Sequence, residues 1–453
     1  MIIIGMILCI VVFFSLILNG VYVQTAMAGS EVNTGDRLHF SEPVNLTNNL
    51  QDSVYAQVST QGNNVYMVWQ ENPQSQATSS DNARNYDIFM KKSIDGGLTF
   101  GKEINLSNNP GFSEHPQIAA SGNNVYIVWI DNSPIGSSDA ENKKILLRKS
   151  VDNGNTFGEA SILSNNHSID SINQEIAATG NNVYVVWQDT PLGEAEDAEI
   201  TSGGDNVIPY NNAYSDSSIN QEKYGSSIMF TSSENGGESF IKPKGLSSDA
   251  HKSYPKVGAH GDSVYVVWNV GIINKTSDGN SQNGSGPNGI FFSKSSDNGI
   301  NFSDALRLNA NSEPVGESQV ATNGKNVYVV WGGNPDEKIP GHLYYTRSAD
   351  NGSTFSSPRS LTDKNTLNVE VAADNNNAYI AWQGVLPDGN EEIFIKESSD
   401  AGDTFTTVNE NISRNKGISE CTSIAISQDS KVVFLSWEDS PEDNHEILFS
   451  QGA

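Results

Sequence analysis

The stretch that decides the fold is Ser93-Ile94-Asp95-Gly96-Gly97-Leu98-Thr99-Phe100, because close copies of it return five more times along the chain. The shared frame is Ser-x-Asp-x-Gly-x-Thr-Phe, and the later copies begin at residues 150, 233, 295, 348 and 398. The third copy has Asn235 and Ser239 in place of Asp and Thr, and the fourth has Asn301 in place of Thr. Six matches in one chain of 453 residues predict a repeat architecture.

The chemistry of the frame suits a tight turn between two strands. A short carboxylate can accept hydrogen bonds from the N–H groups of its own turn, and glycine tolerates a positive φ. The Phe ring that follows can start the next strand by packing into a core. We therefore interpret the third frame position as structural rather than catalytic. It is occupied by Asp95, Asp152, Asn235, Asp297, Asp350 and Asp400.

A second repeat is marked by the seven tryptophans, each of which ends a strand-like run such as Val65-Tyr66-Met67-Val68-Trp69. Runs of β-branched and aromatic residues that are apolar on both faces are typical of strands buried on both sides. A turn signal such as Gly62-Asn63-Asn64 separates this run from a strand before it, as in a hairpin. A third strand runs into each frame, and a fourth strand follows the frame.

Four antiparallel strands per unit, repeated around a ring, predict an all-β chain folded as a seven-bladed β-propeller. The Trp strand occurs seven times but the frame only six times, because the seventh unit stops at Ala453 before a frame or a fourth strand. Residues 39–47 resemble a fourth strand that has no blade of its own. We expect this N-terminal strand to complete the last blade, which closes the ring and removes an exposed sheet edge.

The N-terminal segment differs from everything after it. Residues 2–18 are an almost unbroken apolar run, and Ala26-Met27-Ala28 fits a small-residue cleavage site. Residues 1–28 are therefore predicted to be a signal peptide or an N-terminal membrane anchor, residues 29–37 a linker and residues 38–453 the propeller. Either alternative predicts a secreted or cell-surface protein, with membrane contact only through an uncleaved N-terminal segment.

The charge of the chain argues against a nucleic-acid partner. The sequence has 54 acidic and 26 basic residues, and its formal net charge is −28. Binding to nucleic acid depends on cationic groups that neutralise phosphates.

With these repeats in place, the chain resembles the sialidase superfamily of β-propellers. The repeats of that superfamily, called Asp-boxes or BNR repeats, read Ser-x-Asp-x-Gly-x-Thr-aromatic and lie between the third and fourth strands of a blade. The resemblance covers roughly residues 38–453 and implies the fold. Asp-boxes occur in sialidases, in other glycosidases and in binding proteins without enzymatic activity, so the resemblance does not by itself imply an activity.

Sialidases of this superfamily hold the substrate carboxylate with arginines, a task that suits the planar guanidinium group. The chain has seven arginines, and none is placed on a predicted innermost strand; they are Arg37, Arg84, Arg148, Arg307, Arg347, Arg359 and Arg414. We therefore predict a sialidase-like propeller that lacks the sialidase catalytic residues.

A ligand is expected where the first strands begin, at the mouth of the central channel. The candidate ligand-binding residues there are Glu114, His115, Asn173, Tyr254, Glu317, Asn368 and Glu420. We expect a binding module for a glycan or an extracellular protein. One alternative is an exo-sialidase-like glycoside hydrolase that uses carboxyl groups among Glu114, Glu317 and Glu420. Another is an architectural component of the cell envelope.

No cofactor is predicted, although Ca²⁺ could bind one acidic run. This run, residues 194–199, lies in the longest insertion, at 188–225, and has no EF-hand spacing. The seven histidines show no zinc-binding pattern. A second insertion, at 269–289, is rich in Gly, Ser and Asn and is predicted to be either part of a rim beside the channel or a solvated loop.

Overall fold

The computed structural model describes residues 38–72, 86–133, 142–164, 169–191, 226–246, 252–270, 273–275, 281–283, 289–309, 315–332, 342–362, 366–427, 432–440 and 444–453. The predicted signal peptide and linker, the acidic run at 194–199, Arg37 and Arg84 lie outside the described residues. Within these ranges the chain forms seven four-stranded antiparallel sheets, which confirms the predicted seven-bladed all-β propeller. None of the described residues belongs to a helix with the length and apolarity needed to cross a bilayer.

Each blade runs from an inner first strand to a short outer fourth strand. The first strands are β2 (Asp52–Gln61), β6 (Ser113–Ser121), β10 (Ile169–Thr179), β14 (Lys252–His260), β20 (Ser318–Asn323), β24 (Thr366–Asp374) and β28 (Ile418–Ile426). The second strands are β3 (Asn64–Asn72), β7 (Asn124–Asp131), β11 (Asn182–Pro191), β15 (Ser263–Val270), β21 (Asn326–Trp331), β25 (Asn377–Val385) and β29 (Val433–Ser440). The third strands are β4 (Asp87–Ser93), β8 (Lys144–Ser150), β12 (Ser227–Ser233), β18 (Gly289–Ser295), β22 (Leu343–Ser348), β26 (Glu391–Ser398) and β30 (Glu446–Gly452). The fourth strands are β5 (Ile104–Asn105), β9 (Ser161–Ile162), β13 (Lys244–Gly245), β19 (Leu306–Arg307), β23 (Arg359–Thr362), β27 (Glu410–Asn411) and, in the last blade, β1 (Val44–Asn45).

The ring is closed by the N-terminal strand, as the sequence predicts. In the last blade β1 pairs with β30, so that Val44 lies opposite Phe449. The pairing extends beyond the short strand, because Ser41 N–H donates to the carbonyl of Gln451 at 2.8 Å and Leu46 N–H donates to that of Ile447 at 2.8 Å. First strands of neighbouring blades contact each other around the whole ring, including β28 with β2.

The second strands form the core, because both of their faces are buried. All seven tryptophans on them are at most 1% exposed. Each buried cluster joins two neighbouring blades; Val65 and Trp69 of the first blade, for example, pack in one cluster with Phe434 and Phe449 of the last. Apolar burial between blades thus supplies stability that no blade has alone.

The second strands are longer than the sequence patterns predict. Six of them continue past the tryptophan, as β3 does through Gln70 and Glu71 to Asn72. These polar side chains are buried as well, and Trp69 Nε1 donates to Glu71 Oε2 at 3.2 Å. Polar groups can be buried when they are hydrogen-bonded, so the strand continues past the end of the apolar run.

The six copies of the frame form what we call the repeat turns, between the third and fourth strands. In the first, Ser93 Oγ donates to Asp95 Oδ1 at 2.7 Å and accepts from Gly97 N–H at 2.9 Å. Thr99 donates to the same carboxylate twice, from its N–H at 2.9 Å and from Oγ1 at 2.6 Å. The carboxylate thus closes its own turn, as the structural interpretation of the frame requires.

In the two deviating copies, an asparagine side-chain amide is the donor in place of the threonine hydroxyl. In the third turn Asn235 Nδ2 donates to Ser239 Oγ at 2.9 Å. In the fourth turn Asn301 Nδ2 donates to Asp297 Oδ2 at 2.8 Å. Each pair therefore retains one donor and one acceptor between the third and seventh frame positions.

The frame glycine has a second role, because it brings each repeat turn against an aromatic ring of the preceding blade. A Cβ built on Gly299 would lie 2.3 Å from Cζ of Phe230, and one built on Gly352 would lie 2.7 Å from Cζ of Phe292. Both glycines also have a positive φ, +81° and +70° respectively. The turn therefore needs glycine for close approach as well as for its backbone conformation.

The insertion of the fourth blade contains a small hairpin, within the segment that the sequence predicts to be a rim or a solvated loop. Its strands are β16 (Ile273–Lys275) and β17 (Ser281–Asn283), which pair with each other in a separate two-stranded sheet.

Candidate functional site

A cavity of about 470 Å³ lies on the axis of the propeller, and we call it the axial cavity. Residues from all seven first strands or from the residues just before them line it, together with Gln383 of β25. The axial cavity lies at the end of the ring opposite to the repeat turns. Its lining residue Gln57 pairs with Val68, whereas Ser93 of the first repeat turn pairs with Val65, next to the hairpin that joins the first and second strands. A cavity of this size with converging polar groups is the usual form of a ligand site.

The wall of the axial cavity is built by a backbone irregularity repeated in six blades. In each of them the pairing of the first and second strands skips two residues, as between Val54 and Gln57. The first skipped residue has a left-handed backbone with φ between +45° and +56°. These bulge residues are Tyr55, His115, Asn173, Tyr254, Asn368 and Cys421. In the fifth blade Glu317 takes the equivalent place without a positive φ.

Left-handed backbone in a non-glycine residue is strained, and such strain persists only where surrounding contacts hold it. Here the residue after the buried tryptophan of the preceding blade supplies a contact. Glu438 Oε1 accepts from Tyr55 N–H at 2.6 Å, and Gln70 Oε1 accepts from His115 N–H at 2.6 Å. The bulges of the first and second blades are therefore fixed by the packing of one blade on the next.

The glutamines of two other second strands hold the bulge side chains of their own blades. Asn173 Nδ2 donates to Gln188 Oε1 at 2.9 Å, and Asn368 Nδ2 donates to Gln383 Oε1. These contacts orient both amides at the cavity wall.

Two residues beyond each bulge, a second set of polar side chains crosses between neighbouring blades. Lys256 Nζ lies 3.0 Å from Glu175 Oε2, and Gln319 Nε2 donates to Glu370 Oε1 at 2.7 Å. On the other side Ser423 Oγ donates to Gln57 Oε1 at 3.0 Å. Four residues of this set line the axial cavity, and we call them its floor: Gln57, Lys256, Gln319 and Glu370.

The electrostatics of the floor is dominated by carboxyl groups around one lysine. Burial alone would lower the pKa of Lys256, but the nearby carboxylates, Glu175 first and Glu317 as well, outweigh burial and raise it. Burial raises the pKa of Glu370 to about 8, against the opposing effect of Lys256. The lysine therefore stays charged at neutral pH, while Glu370 is largely protonated.

A second carboxyl cluster lies where the last blade meets the first. His445 Nδ1 is 2.8 Å from Asp52 Oδ1, and its Nε2 is 3.8 Å from Glu420 Oε1. The hydrogen bond with Asp52 raises the pKa of His445. Burial raises the pKa of Glu438, whose side chain is 0% exposed, to about 8. Burial, together with Glu438, also raises the pKa of the Cys421 thiol.

The structure brings together most of the candidate residues chosen from the sequence. His115, Asn173, Tyr254, Glu317 and Asn368 occupy bulge or equivalent positions and line the axial cavity. Glu420, one residue before a bulge, also lines it. Glu114 is one residue before a bulge too, but it is not among the lining residues; its carboxylate lies 3.3 Å from Lys143 Nζ.

Other residues of the wall were missed by the sequence reasoning. Tyr55 and Cys421 lie within strand-like runs of the sequence, which do not show that the backbone bulges there. Lys256 and Glu370 also line the cavity, and no pattern in the sequence distinguishes them from solvated strand residues. Gln70 and Glu438 carry a usable signal, because each is polar and directly follows a tryptophan that is expected in the core.

Five arginines lie in the described ranges, and none of them lines the axial cavity. Arg148 and Arg347 are on third strands, Arg307 and Arg359 on fourth strands, and Arg414 follows β27. Within the same ranges, no three His, Cys, Asp or Glu side chains are grouped so that they could hold a metal ion.

Fold and site together define a seven-bladed β-propeller with a polar cavity at one end of its axis. Among solved structures, one of a protein of unknown function from Dyadobacter fermentans is 12% identical, with a TM-score of 0.51 over 92% of this chain and 98% of that chain. A Trypanosoma rangeli sialidase in complex with 2,3-difluorosialic acid is 11% identical, with a TM-score of 0.48 over 88% of this chain and 54% of that one.

A Hadza microbial sialidase is 12% identical, with a TM-score of 0.45 over 81% of this chain and 73% of that one. This chain thus spans about half the length of the Trypanosoma rangeli sialidase chain, and the likeness at these identities is one of fold. No protein-family profile matches the sequence, and no curated protein matches it.

Proposed function

We propose that this protein is an exported, sialidase-like propeller that binds a glycan in the axial cavity. The observation that supports the proposal is the ring of bulge residues, which repeats a strained backbone in six blades at one level of the channel. Strain of this kind is concentrated at functional sites. The ring also combines aromatic side chains with amides, which suits the apolar faces and hydroxyl groups of sugars.

The size and shape of the cavity agree with a small ligand or the end of a larger one. Its volume of about 470 Å³ lies in the ordinary range for small-molecule sites. The ring closed by seven inner strands is rigid, so the binding groups are positioned before the ligand arrives.

The test is a glycan array, followed by isothermal titration of the bound glycans with two matched variants. Asn368→Gly removes a side chain from the wall at φ +45°, which glycine adopts without strain. Asn351→Gly makes the same change at φ +55° in a repeat turn at the opposite end of the ring. We expect the first variant to weaken binding at least about tenfold and the second to leave it unchanged. Equal affinities of the two variants, or no glycan bound by the wild type, would contradict the proposal.

A second candidate function is glycoside hydrolysis, because Glu317 and Glu420 both line the axial cavity. Hydrolysis needs two carboxyl groups on either side of the scissile bond, and burial raises the pKa of Glu420, as suits a general acid. Turnover of chromogenic glycosides that is abolished by Glu317→Gln or Glu420→Gln, and retained by Glu114→Gln, would favour the hydrolase. Absence of turnover by the wild type would favour the binding protein.

A further inference from the structure

The wall of the axial cavity offers more negative than positive charge. The carboxyl groups of Glu317 and Glu420 line it beside the largely protonated Glu370, and among its described lining residues Lys256 is the only lysine or arginine. The Lys256 ammonium already has a partner, since its Nζ lies 3.0 Å from Glu175 Oε2. Glu317 is exposed to the cavity and therefore accessible to a ligand.

A hydrogen-bond acceptor in the same wall points to a ligand that donates. Gln174 lines the cavity and is only 3% exposed. Its Nε2 donates to the carbonyl of His115, whereas its Oε1 has no hydrogen-bond partner among the described residues. Buried acceptors are normally paired, so a donor from a ligand would remove an energetic penalty at this position.

Aromatic side chains complete the wall on the side of the first, second and fourth blades. Tyr55 and His115 meet edge to face with their ring centroids 4.1 Å apart, and Tyr254 is the bulge residue of the fourth blade. Burial lowers the pKa of His115 to about 4, so its ring is neutral at neutral pH and does not repel a cation. Aromatic faces attract organic cations through their quadrupole.

The floor of the cavity shows that this environment accepts an ammonium group. The Lys256 side chain is only 18% exposed, yet Glu175 and Glu317 keep it charged. An ammonium group has three donors and no acceptor, which matches a wall with excess acceptors.

From these four observations we infer that the ligand of the axial cavity carries an ammonium group, so that amino sugars are preferred over neutral and anionic sugars. The inference rests on the proposed function in that it names the class of glycan. A site built of arginines would bind a ligand with a carboxylate, whereas this cavity presents carboxyl groups and would bind a cationic ligand.

The inference is tested by isothermal titration of the full chain with three related sugars: D-glucosamine, D-glucose and N-acetyl-D-glucosamine. We expect glucosamine to bind at least about tenfold more tightly than the other two, because only its amine is charged at pH 7. Glu317→Gln should reduce the affinity for glucosamine about tenfold and leave the affinity for glucose unchanged. Glu114→Gln is the matched control, because Glu114 lies beside the ring without lining the cavity, and it should change neither affinity.

A second pair of probes, n-butylamine and n-butanol, separates this inference from the proposed function. Binding of butylamine but of no sugar would support the ammonium site and overturn the glycan proposal. Equal binding of glucosamine and glucose would overturn the ammonium preference and leave the glycan proposal in place. If the protein bound neither glucosamine nor butylamine, the ammonium site would be overturned. The same would follow if Glu317→Gln and Glu114→Gln reduced the affinity for glucosamine equally.

Discussion

Replacement of Gly299 by alanine tests whether the repeat turns are held by close approach to the preceding blade. Gly299 is the frame glycine of the fourth repeat turn, and its added Cβ would lie 2.3 Å and 2.7 Å from Cζ and Cε1 of Phe230. Neither atom can easily move away, because Phe230 is 0% exposed and packs edge to face on Phe302, with ring centroids 4.9 Å apart. The variant must therefore shift the turn or the core.

Two effects determine how far Gly299→Ala lowers the free energy of unfolding. Alanine at φ +81° costs about 1 kcal/mol in backbone strain. Forcing an extra methyl group into a packed core costs about 1 to 3 kcal/mol more. We expect Gly299→Ala to lower the free energy of unfolding by about 2 to 4 kcal/mol, the sum of these two costs.

The matched control is Gly96→Ala, in the first repeat turn. Gly96 has φ +73°, but nothing lies within 4 Å of a Cβ built on it. Ala401 occupies the equivalent frame position of the sixth turn at φ +57°, so alanine is tolerated there. This variant should lose only the strain contribution, about 1 kcal/mol.

The assay is urea-induced unfolding followed by the fluorescence of the buried tryptophans, with Phe230→Leu added to each glycine variant. A smaller ring should relieve the contact, so Phe230→Leu should cost less in the Gly299→Ala background than in the wild type. Equal losses in Gly299→Ala and Gly96→Ala, with no coupling to Phe230→Leu, would refute the close-approach role of the frame glycine.

Three further predictions concern closure of the ring and its response to pH. Deletion of residues 38–47 should abolish cooperative thermal unfolding, because β30 would lose its partner strand; an unchanged melting profile would contradict this. The hydrogen bonds from Thr99 and Ser93 lower the pKa of Asp95 to about 2, so stability that is complete above about pH 4 should be lost as the pH falls towards 2. The double variant Asp95→Asn with Thr99→Ser copies the third repeat turn and should show a smaller acid-induced loss in circular dichroism titrations. Because burial raises the pKa of Glu438 to about 8, the folded protein binds this proton more tightly than the unfolded chain, and stability should fall between about pH 5 and pH 8. Glu438→Gln should flatten that slope in denaturant titrations, whereas Glu114→Gln should leave it unchanged.

Sequence reasoning predicts the architecture well because the relevant signals are local and repeated. The frame and the Trp run each describe a backbone segment of at most eight residues, and their interleaving gives the strand order directly. The unmatched strand at residues 39–47 could be assigned to the last blade because a propeller has no free edge.

The axial cavity could be predicted only in part because its geometry comes from contacts between blades. The start of each first strand is visible in the sequence, and this places His115 and Asn368 near the channel. The bulge itself is not visible, because the left-handed backbone of Tyr55 depends on the carboxyl group of Glu438, 383 residues away. Likewise, the pairing of Lys256 with Glu175 joins two blades, and strand periodicity alone cannot distinguish it from a pair of solvated charges.

Closure of the last blade by β1 has a consequence for the time at which this protein can fold. Val44 pairs with Phe449, which lies 405 positions further along the chain, and synthesis of that length takes about 20 to 80 s at about 5 to 20 residues per second. During that time the first blade has no neighbour on one side, and the apolar face of its second strand, with Trp69, is uncovered. The ring can therefore be completed only after the whole chain has been synthesised, and until then an incomplete chain exposes a surface that a chaperone could bind.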